Sequence, residues 1–304
     1  MENEDQYEWG RTLFSENAPP FYYAEPNGVL YAGDCVSIMR SMRPASVDLI
    51  FADPPYSIGK AEWDNFKSPD AYLEFSMNWI AEASRVLKST GTLYICGFSE
   101  ILADLHRPAM DYFHSCRWII WYYKNKANLG SDWGRSHESI LCLRKSEKYI
   151  MNTDAVRIPY NAHTLRYPSH PQAETSQYNN NKNSHKEKWA PNPLGAKPKD
   201  VIELPTTCNG MREKTPHPTQ KPEALLRKII LASSNENQLV LDPFVGSGTA
   251  AVCASQLNRK FIGIDQNPEY LNWAVQRLQA VENRTVQDWM EYDRRVTSRR
   301  EAIR

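Results

Sequence analysis

The sequence predicts an α/β fold with an open, mainly parallel, doubly wound sheet. Short apolar runs typical of buried strands alternate along the 304-residue chain with segments whose apolar residues recur at helical spacing. Ligands of such sheets bind at the carboxyl ends of the strands, and the residues that follow several of the predicted strands are suited to binding. Hydrophobic residues make up 41% of the chain, which is enough for a large core.

The strand Val47–Ala52 is followed directly by the turn Asp53-Pro54-Pro55-Tyr56. Its two prolines remove backbone N–H donors, so the turn presents carbonyl oxygens and one carboxylate. Asp53 and the Pro54 carbonyl could therefore hold the two hydrogens of an exocyclic amino group. Tyr56 could stack on a base that has left the duplex. An ordinary strand-to-turn junction is the alternative interpretation of these four residues.

Helices are predicted after this turn and near the C-terminus. An apolar stripe at helical spacing follows the turn and should be core rather than a surface for a base. Its residues are Tyr72, Phe75, Trp79, Ala83, Val86 and Leu87. Pro222 and Pro268 begin two further predicted helices, which we expect to pack on the sheet.

A second strand with a binding loop is predicted in the last third of the chain. Residues 239–241 are typical of a buried strand, and residues 250–257 of a helix. Glycines in the loop between them let the backbone approach a ligand, and the helix N-terminus offers N–H groups to a carboxylate or phosphate. The loop contains Phe244, Gly246, Ser247, Gly248 and Thr249. About twenty residues later, the strand 261–264 ends in Asp265, which could hold ribose hydroxyls.

The composition of this loop favours S-adenosylmethionine over other nucleoside cofactors. The loop lacks the third glycine of a dinucleotide fingerprint and the Gly-Lys-Ser/Thr that grips nucleotide phosphates, which disfavours NAD and ATP. S-adenosylmethionine has an adenosine and a carboxylate but no phosphate, so it suits a Gly-Ser-Gly loop with an acidic residue beyond it.

Together the two motifs resemble those of the DNA amino-methyltransferases. Their order resembles the circularly permuted (beta) group, in which the catalytic motif precedes the cofactor loop. The turn at Asp53 with Ala61-Glu62-Trp63-Asp64 is similar to the catalytic segment of adenine-specific members. Eight more stretches between about residues 30 and 278 match the family in order, namely 33–35, 46–50, 82–87, 91–95, 119–121, 135–138, 197–202 and 217–222.

This resemblance implies a Rossmann-like class I methyltransferase of the type found in restriction-modification systems. It would transfer a methyl group from S-adenosylmethionine to N6 of a flipped adenine in double-stranded DNA, by direct in-line attack and without a catalytic cysteine. The implied catalytic residues are Asp53, Pro54, Pro55 and Tyr56. The implied cofactor-binding residues are Asp34 at the adenine end, Asp53, His217, Thr219, Lys221, Phe244, Gly246, Ser247, Gly248, Thr249 and Asp265.

Residues 151–216 are predicted to be an irregular target-recognition insertion, with a solvated linker as the alternative. Strand and helix periods are missing there, while basic residues outnumber acidic ones and aromatic residues are interleaved. The candidate DNA-binding residues, one of them before the insertion, are Arg135, Arg157, Arg166, Lys182, Lys186, Lys188, Lys197 and Lys199. The rest of the chain divides into an acidic N-terminal tail (1–28), a catalytic half (29–150), a cofactor-binding half (217–280) and a basic C-terminal tail (281–304).

Charge and cysteine content narrow the remaining classes. The 36 basic and 36 acidic residues give no net charge, so a nucleic-acid partner depends on how the charges are distributed. The six cysteines lack metal-ligand spacing and are expected to be buried thiols, and we predict no metal. No run is apolar enough to span a membrane, and the acidic start is unlike a secretory signal, so a cytoplasmic protein is expected.

Other functions stay open at this stage. A cytosine-N4 methyltransferase shares the chemistry, although that branch more often has Ser in place of Asp53. Methyltransferases of RNA or of protein glutamine usually have Asn there and lack such an insertion. A non-catalytic DNA-binding or specificity subunit would not need the acceptor turn beside a cofactor loop. A homodimer and a cognate restriction endonuclease are further partners that the resemblance suggests.

Overall fold

The computed structural model describes residues 8–15, 18–57, 59, 64–125, 131, 133–167, 170–171 and 188–302. The chain divides into two compact units. The first comprises Met1–Met151 with Asp200–Arg304, and the second comprises Asn152–Lys199. The predicted insertion, 151–216, contains the whole second unit and continues into the first, and its bounds stay a prediction.

The strands are, in chain order, β1 (Tyr23–Glu25), β2 (Gly28–Ala32), β3 (Val47–Ala52), β4 (Leu87–Gly97), β5 (Ser115–Tyr122), β6 (His137–Arg144), β7 (His170–Pro171), β8 (Lys188–Trp189), β9 (Val201–Glu203), β10 (Leu239–Asp242) and β11 (Lys260–Asp265). The helices are α1 (Glu8–Arg11), α2 (Cys35–Ser41), α3 (Pro69–Val86), α4 (Ser99–Ala109), α5 (Ala162–Arg166), α6 (Glu223–Ser233), α7 (Thr249–Gln256), α8 (Pro268–Gln279) and α9 (Val286–Ala302).

One large sheet forms the centre of the first unit. Within the described residues its strand order is β1-β2-β11-β10-β3-β4-β6-β5-β9. The five strands from β2 to β4 in this order are all parallel, while β6 is antiparallel to both of its neighbours. Every residue of β3 and β10 is buried, so both faces of the sheet are covered there. The predicted doubly wound, mainly parallel α/β fold is confirmed.

Local sequence explains where the helices beside the sheet begin. The Ser68 hydroxyl accepts a hydrogen bond from the Ala71 N–H at 3.1 Å, and Pro69 follows in the first turn of α3. Of the predicted apolar stripe, Tyr72, Trp79, Ala83 and Val86 are buried in α3, whereas Leu87 is buried as the first residue of β4. Phe75 is only partly buried and also lines a cavity. Pro222 precedes α6 and Pro268 begins α8. Helices α2, α3 and α4 pack side by side, as do α6, α7 and α8.

Both ends of the described chain are tied to this unit. β1 pairs with β2, so part of the predicted N-terminal tail belongs to the sheet. Most of the predicted C-terminal tail is the helix α9. Arg227 of α6 holds α9 through two hydrogen bonds to the Asp293 carboxylate, at 2.6 and 2.9 Å. Its guanidinium also lies 4.9 Å from the centre of the Trp289 ring.

The second unit is built from short elements. It contains a 3₁₀ turn at Thr153–Val156, the helix α5, and the strands β7 and β8, which pair with each other. Arg157 forms an ion pair with Asp154 at 2.7 Å and donates to the Gly195 carbonyl at 2.8 Å. The irregular structure that the composition indicates is therefore held by local polar contacts.

Three further observations concern the described residues alone. None of their helices has the length and apolar character needed to cross a bilayer. No group of three or more His, Cys, Asp or Glu side chains among them is arranged to hold a metal ion. All six cysteines are free thiols; Cys35, Cys96, Cys142 and Cys253 are buried, whereas Cys208 is exposed.

Candidate active site

Four adjacent strands bring the predicted site residues together. Because β2, β11, β10 and β3 are parallel neighbours, their carboxyl ends meet at one edge of the sheet. Asp34 follows β2, Asp53 follows β3, the loop with Gly246 follows β10, and Asp265 ends β11. All four residues line one cavity, which we call the acidic cavity.

The acidic cavity combines carboxylates with aromatic walls. Asp34, Asp53, Asp64 and Asp265 contribute the carboxylates, and the residues with rings include Phe66, Phe75, Phe244 and Tyr270. Neither Lys nor Arg occurs among the described residues that line it. Such a cavity suits a cationic ligand with an aromatic group and disfavours a phosphate.

The loop after β10 is shaped around Gly246. This residue has φ +50°, in the left-handed region, and a Cβ there would lie 2.9 Å from Nε2 of His217. Its N–H donates to Oδ2 of Asp265 at 2.9 Å, while Oδ1 of Asp265 accepts the N–H of Asn267 at 2.8 Å. Burial raises the pKa of Asp265, and the two N–H donors oppose that rise.

The other predicted residues of this loop differ in position. Phe244 lines the acidic cavity, whereas Ser247, Gly248 and Thr249 do not. Arg277 of α8 donates to the Ser247 carbonyl at 2.8 Å and to Oγ1 of Thr249 at 3.0 Å. Through these two hydrogen bonds, Arg277 holds the loop between β10 and α7.

Residues 217–221 contribute to the acidic cavity and also to a second cavity. His217 and Thr219 line the acidic cavity, and the Thr219 N–H donates to Nδ1 of His217 at 3.3 Å. The His217 ring packs edge-on against Tyr270. Burial lowers the pKa of His217 to about 4, and the nearby ammonium of Lys221 adds to this effect. His217 is therefore neutral near pH 7.

The Asp53 turn is fixed by two buried partners. Oδ1 of Asp64 accepts the backbone N–H groups of Tyr56 and Ser57, both at 2.6 Å. The Tyr72 hydroxyl donates to the Pro55 carbonyl at 2.8 Å. Pro54 and Pro55 have no N–H groups, so the backbone of this turn is held by side chains from outside it, namely those of Asp64 and Tyr72. The rest of the segment quoted with Asp64, residues 61–63, lies outside the described residues.

A polar cluster surrounds the Asp53 carboxylate. Its Oδ1 accepts the Tyr56 hydroxyl at 2.7 Å, and its Oδ2 lies 2.6 Å from Nζ of Lys221. The Tyr56 hydroxyl is also 3.0 Å from Oε2 of Glu138, which in turn lies 3.5 Å from Nζ of Lys221. The sequence predicts Lys221 on the cofactor, whereas the structure places its ammonium on Asp53.

Tyr56, Glu138 and Lys221 of this cluster also line a second cavity, which we call the aromatic cavity. Tyr56 lines both cavities. Its ring-bearing residues are Tyr56, Phe98, Trp121 and Tyr123. Glu138 was not among the predicted site residues, although the stretch 135–138 resembled the family. The order of β4, β6 and β5, which brings Glu138 to Asp53, has no signal in local sequence.

The candidate DNA-binding residues are dispersed. Arg135 lines the aromatic cavity, pairs with Glu100 at 2.5 Å and stacks 3.8 Å from the centre of the Phe98 ring. Arg166, Lys197 and Lys199 are exposed in the second unit, where Arg157 makes the contacts given above. Lys182 and Lys186 lie outside the described residues, and only the backbone of Lys188 is described.

Curated relatives are similar to most of the chain. The Type II methyltransferase M.HpaI of Haemophilus parainfluenzae is 37% identical over 82% of this chain and 73% of its own length. The DNA adenine methyltransferase YhdJ of Escherichia coli (strain K12) is 34% identical over 87% of each chain.

Solved structures have the same fold. The PvuII DNA methyltransferase (cytosine-N4-specific) superposes with a TM-score of 0.66 at 16% identity, covering 92% of this chain and 94% of its own. M1.HpyAVI in its SAM complex gives 0.52 at 25% identity, covering 82% of this chain and 98% of its own. The sequence profile of the family N6_N4_Mtase, described as DNA methylase, matches residues 47–276. The chain therefore belongs to the N6_N4_Mtase family of DNA methylases.

Proposed function

We propose that this protein is a site-specific DNA adenine methyltransferase, which transfers a methyl group from S-adenosylmethionine to N6 of an adenine in double-stranded DNA. The observation that carries the proposal is the position of Asp53. Its carboxylate lines the acidic cavity, which suits the methyl donor, and contacts Tyr56 and Lys221, which line the aromatic cavity, where a base could bind.

The acidic cavity fits S-adenosylmethionine. Bound there, S-adenosylmethionine would supply an electrophilic methyl group on a positively charged sulfur. The absence of Lys and Arg from the described lining disfavours nucleotide phosphates, and the aromatic walls suit both an adenine ring and a sulfonium. We propose that Asp265 holds the ribose, that Asp34 lies at the adenine end, and that Phe244 and Gly246 contact the remainder. The M1.HpyAVI complex supports this choice of cofactor.

The Asp53 turn would act on the amino group of the acceptor base. Asp53 and the Pro54 carbonyl would accept its two hydrogens and direct the nitrogen lone pair towards the acidic cavity. As the nitrogen gains the methyl group and the methyl–sulfur bond breaks, S-adenosylhomocysteine would be the leaving group, and the Asp53 carboxylate would take the proton that N6 loses. Tyr56, held by its hydroxyl, would present its ring to the flipped base. Positioning and charge, rather than a covalent intermediate, would supply the catalysis.

Adenine is preferred over cytosine for two reasons. The name of the relative YhdJ specifies adenine, and that protein is similar over 87% of this chain. The turn here also begins with Asp, as in the adenine-specific members that it resembles. The cytosine-N4 alternative is supported only by the breadth of the family and by its shared chemistry.

Further proposals concern partners. Exposed basic residues of the second unit would contact DNA phosphates and position this unit on the duplex for recognition of the target sequence. The Type II relatives support a cognate restriction endonuclease, and the order of the two motifs along the chain supports the circularly permuted group. A homodimer and a cytoplasmic location, where the DNA substrate would be, are parts of the same proposal.

The identity of the methylated base tests the function. Purified protein would be incubated with S-adenosylmethionine and unmethylated genomic DNA, which would then be digested to nucleosides for mass spectrometry. We expect N6-methyldeoxyadenosine, and sequencing of the product would give the target site. N4-methyldeoxycytidine would overturn the base assignment. Neither product, with several genomic DNAs and with S-adenosylmethionine bound, would overturn the proposed function.

A further inference from the structure

Lys221 is a buried cation whose main contact is the Asp53 carboxylate. Only 5% of its side chain is exposed, and its Nζ lies 2.6 Å from Oδ2 of Asp53. Its other polar contacts are longer, at 3.4 Å to the Thr219 carbonyl and 3.5 Å to Glu138. Burying an ammonium costs free energy unless a carboxylate pairs with it, so the fold specifically accommodates this contact.

The backbone around Lys221 is fixed in advance. Oε1 of Gln220 accepts both the N–H and the hydroxyl of Thr215 at 2.8 Å, and its Nε2 donates to the Glu213 carbonyl at 2.6 Å. The Glu213 carboxylate accepts the N–H of Glu223, in the first turn of α6, at 2.7 Å. These hydrogen bonds hold the backbone on both sides of Lys221. They therefore help to keep its ammonium beside Asp53.

Charged and titratable groups face Asp53 from several elements. They are Tyr56 of the same turn, Tyr72 of α3, Cys96 of β4, Glu138 of β6, Asp242 of β10 and Lys221. Lys221 is the only cation in this set of described residues. Burial raises the pKa of Asp53; the Lys221 ammonium opposes this, while the Glu138 carboxylate adds to it. Lys221 and Glu138 therefore shift the pKa of Asp53 in opposite directions.

We propose that Lys221 is a positioning residue for methyl transfer, which keeps the Asp53 carboxylate charged and fixes the direction in which its oxygens point. This inference rests on the proposed function. Lys221 on Oδ2 and the Tyr56 hydroxyl on Oδ1 hold both carboxylate oxygens, and each oxygen keeps lone-pair capacity for an amino hydrogen of the base. The Glu138 carboxylate has the opposite effect on the charge of Asp53 and so limits the effect of Lys221.

Single-turnover methylation measured against pH tests this inference. Unmethylated DNA and saturating S-adenosylmethionine would be used with the wild type and the variants Lys221→Met, Lys221→Arg and Glu138→Gln. In Lys221→Met the acidic limb of the rate profile should move to higher pH by about one to three pH units, because the cation beside Asp53 is gone. Lys221→Arg keeps the charge and should keep the limb. Glu138→Gln removes a neighbouring negative charge and should move the limb to lower pH.

The binding constant for S-adenosylmethionine serves as the control for folding, and we expect it to change little in all three variants. A Lys221→Met limb that coincides with the wild type would overturn the inference, as would shifts of Lys221→Met and Glu138→Gln in the same direction. If Lys221→Met does not fold, an unmoved limb in Glu138→Gln would overturn it. A wild type that methylates no adenine would instead contradict the proposed function, so the two failures are distinguishable.

Discussion

Removal of the Asp53 carboxylate should cost stability as well as activity. In Asp53→Ala the Lys221 ammonium, whose side chain is 5% exposed, would keep only the more distant Glu138 as a charged partner, at 3.5 Å. Breaking a buried ion pair by removing one partner costs about 3–5 kcal/mol. Because Glu138 remains, we expect a value near the lower end, about 3 kcal/mol. This corresponds to about a hundredfold change in the folding equilibrium.

The double variant Asp53→Ala/Lys221→Met separates the two effects. It lacks both charges, so most of the lost stability should return while methyl transfer stays abolished. Unfolding by urea, followed by tryptophan fluorescence, would give the free energies of the wild type, both single variants and the double variant. The coupling between the two sites would then be read from the cycle. An Asp53→Ala protein as stable as the wild type, or a double variant no more stable than Asp53→Ala, would refute the buried ion pair.

Two further predictions concern the helix α9 and the cofactor loop. Arg227→Met should lower the free energy of unfolding by about 3 kcal/mol, because it removes a buried cation that pairs with both Glu223 and Asp293, whereas Arg295→Met, in an exposed pair, should leave it nearly unchanged. Similar urea midpoints for the two variants would contradict that reasoning. Gly246→Ala should weaken S-adenosylmethionine binding at least about tenfold by calorimetry, since a Cβ at φ +50° would press on His217. Gly210→Ala is the matched control, because Gly210 also has a positive φ but a Cβ there would meet no neighbouring atom. Equal affinities of the two variants for S-adenosylmethionine would contradict the proposed role of Gly246.

The elements that hold the site could be predicted because their signals are local. The apolar run before Asp53, the glycine loop before α7 and the strand ending in Asp265 are each visible within about ten residues of sequence. Their meeting at one sheet edge follows from the rule that parallel strands share the direction of their carboxyl ends. The fold class and the position of the site at the carboxyl ends of the strands could therefore be predicted from local patterns.

The partners of Asp53 could not be predicted in this way. Lys221 is 168 residues from Asp53 in sequence, and Glu138 reaches it only because β6 runs antiparallel between β4 and β5. Likewise, spacing does not tell which side of the loop after β10 faces the cavity. Gly246 lines it, whereas Thr249 contacts Arg277. These contacts depend on strand order and on distant helices rather than on local pattern.

The role of the Asp53 carboxylate is tested most sharply by the rate of adenine methylation in Asp53→Asn. This variant keeps the size of the side chain but removes its charge. In a single turnover with saturating S-adenosylmethionine, the wild type should form N6-methyldeoxyadenosine. Asp53→Asn should do so at least about a hundredfold more slowly, while binding of S-adenosylmethionine is largely retained. An Asp53→Asn enzyme that methylates adenine at the wild-type rate would show that this carboxylate does not act on the amino group.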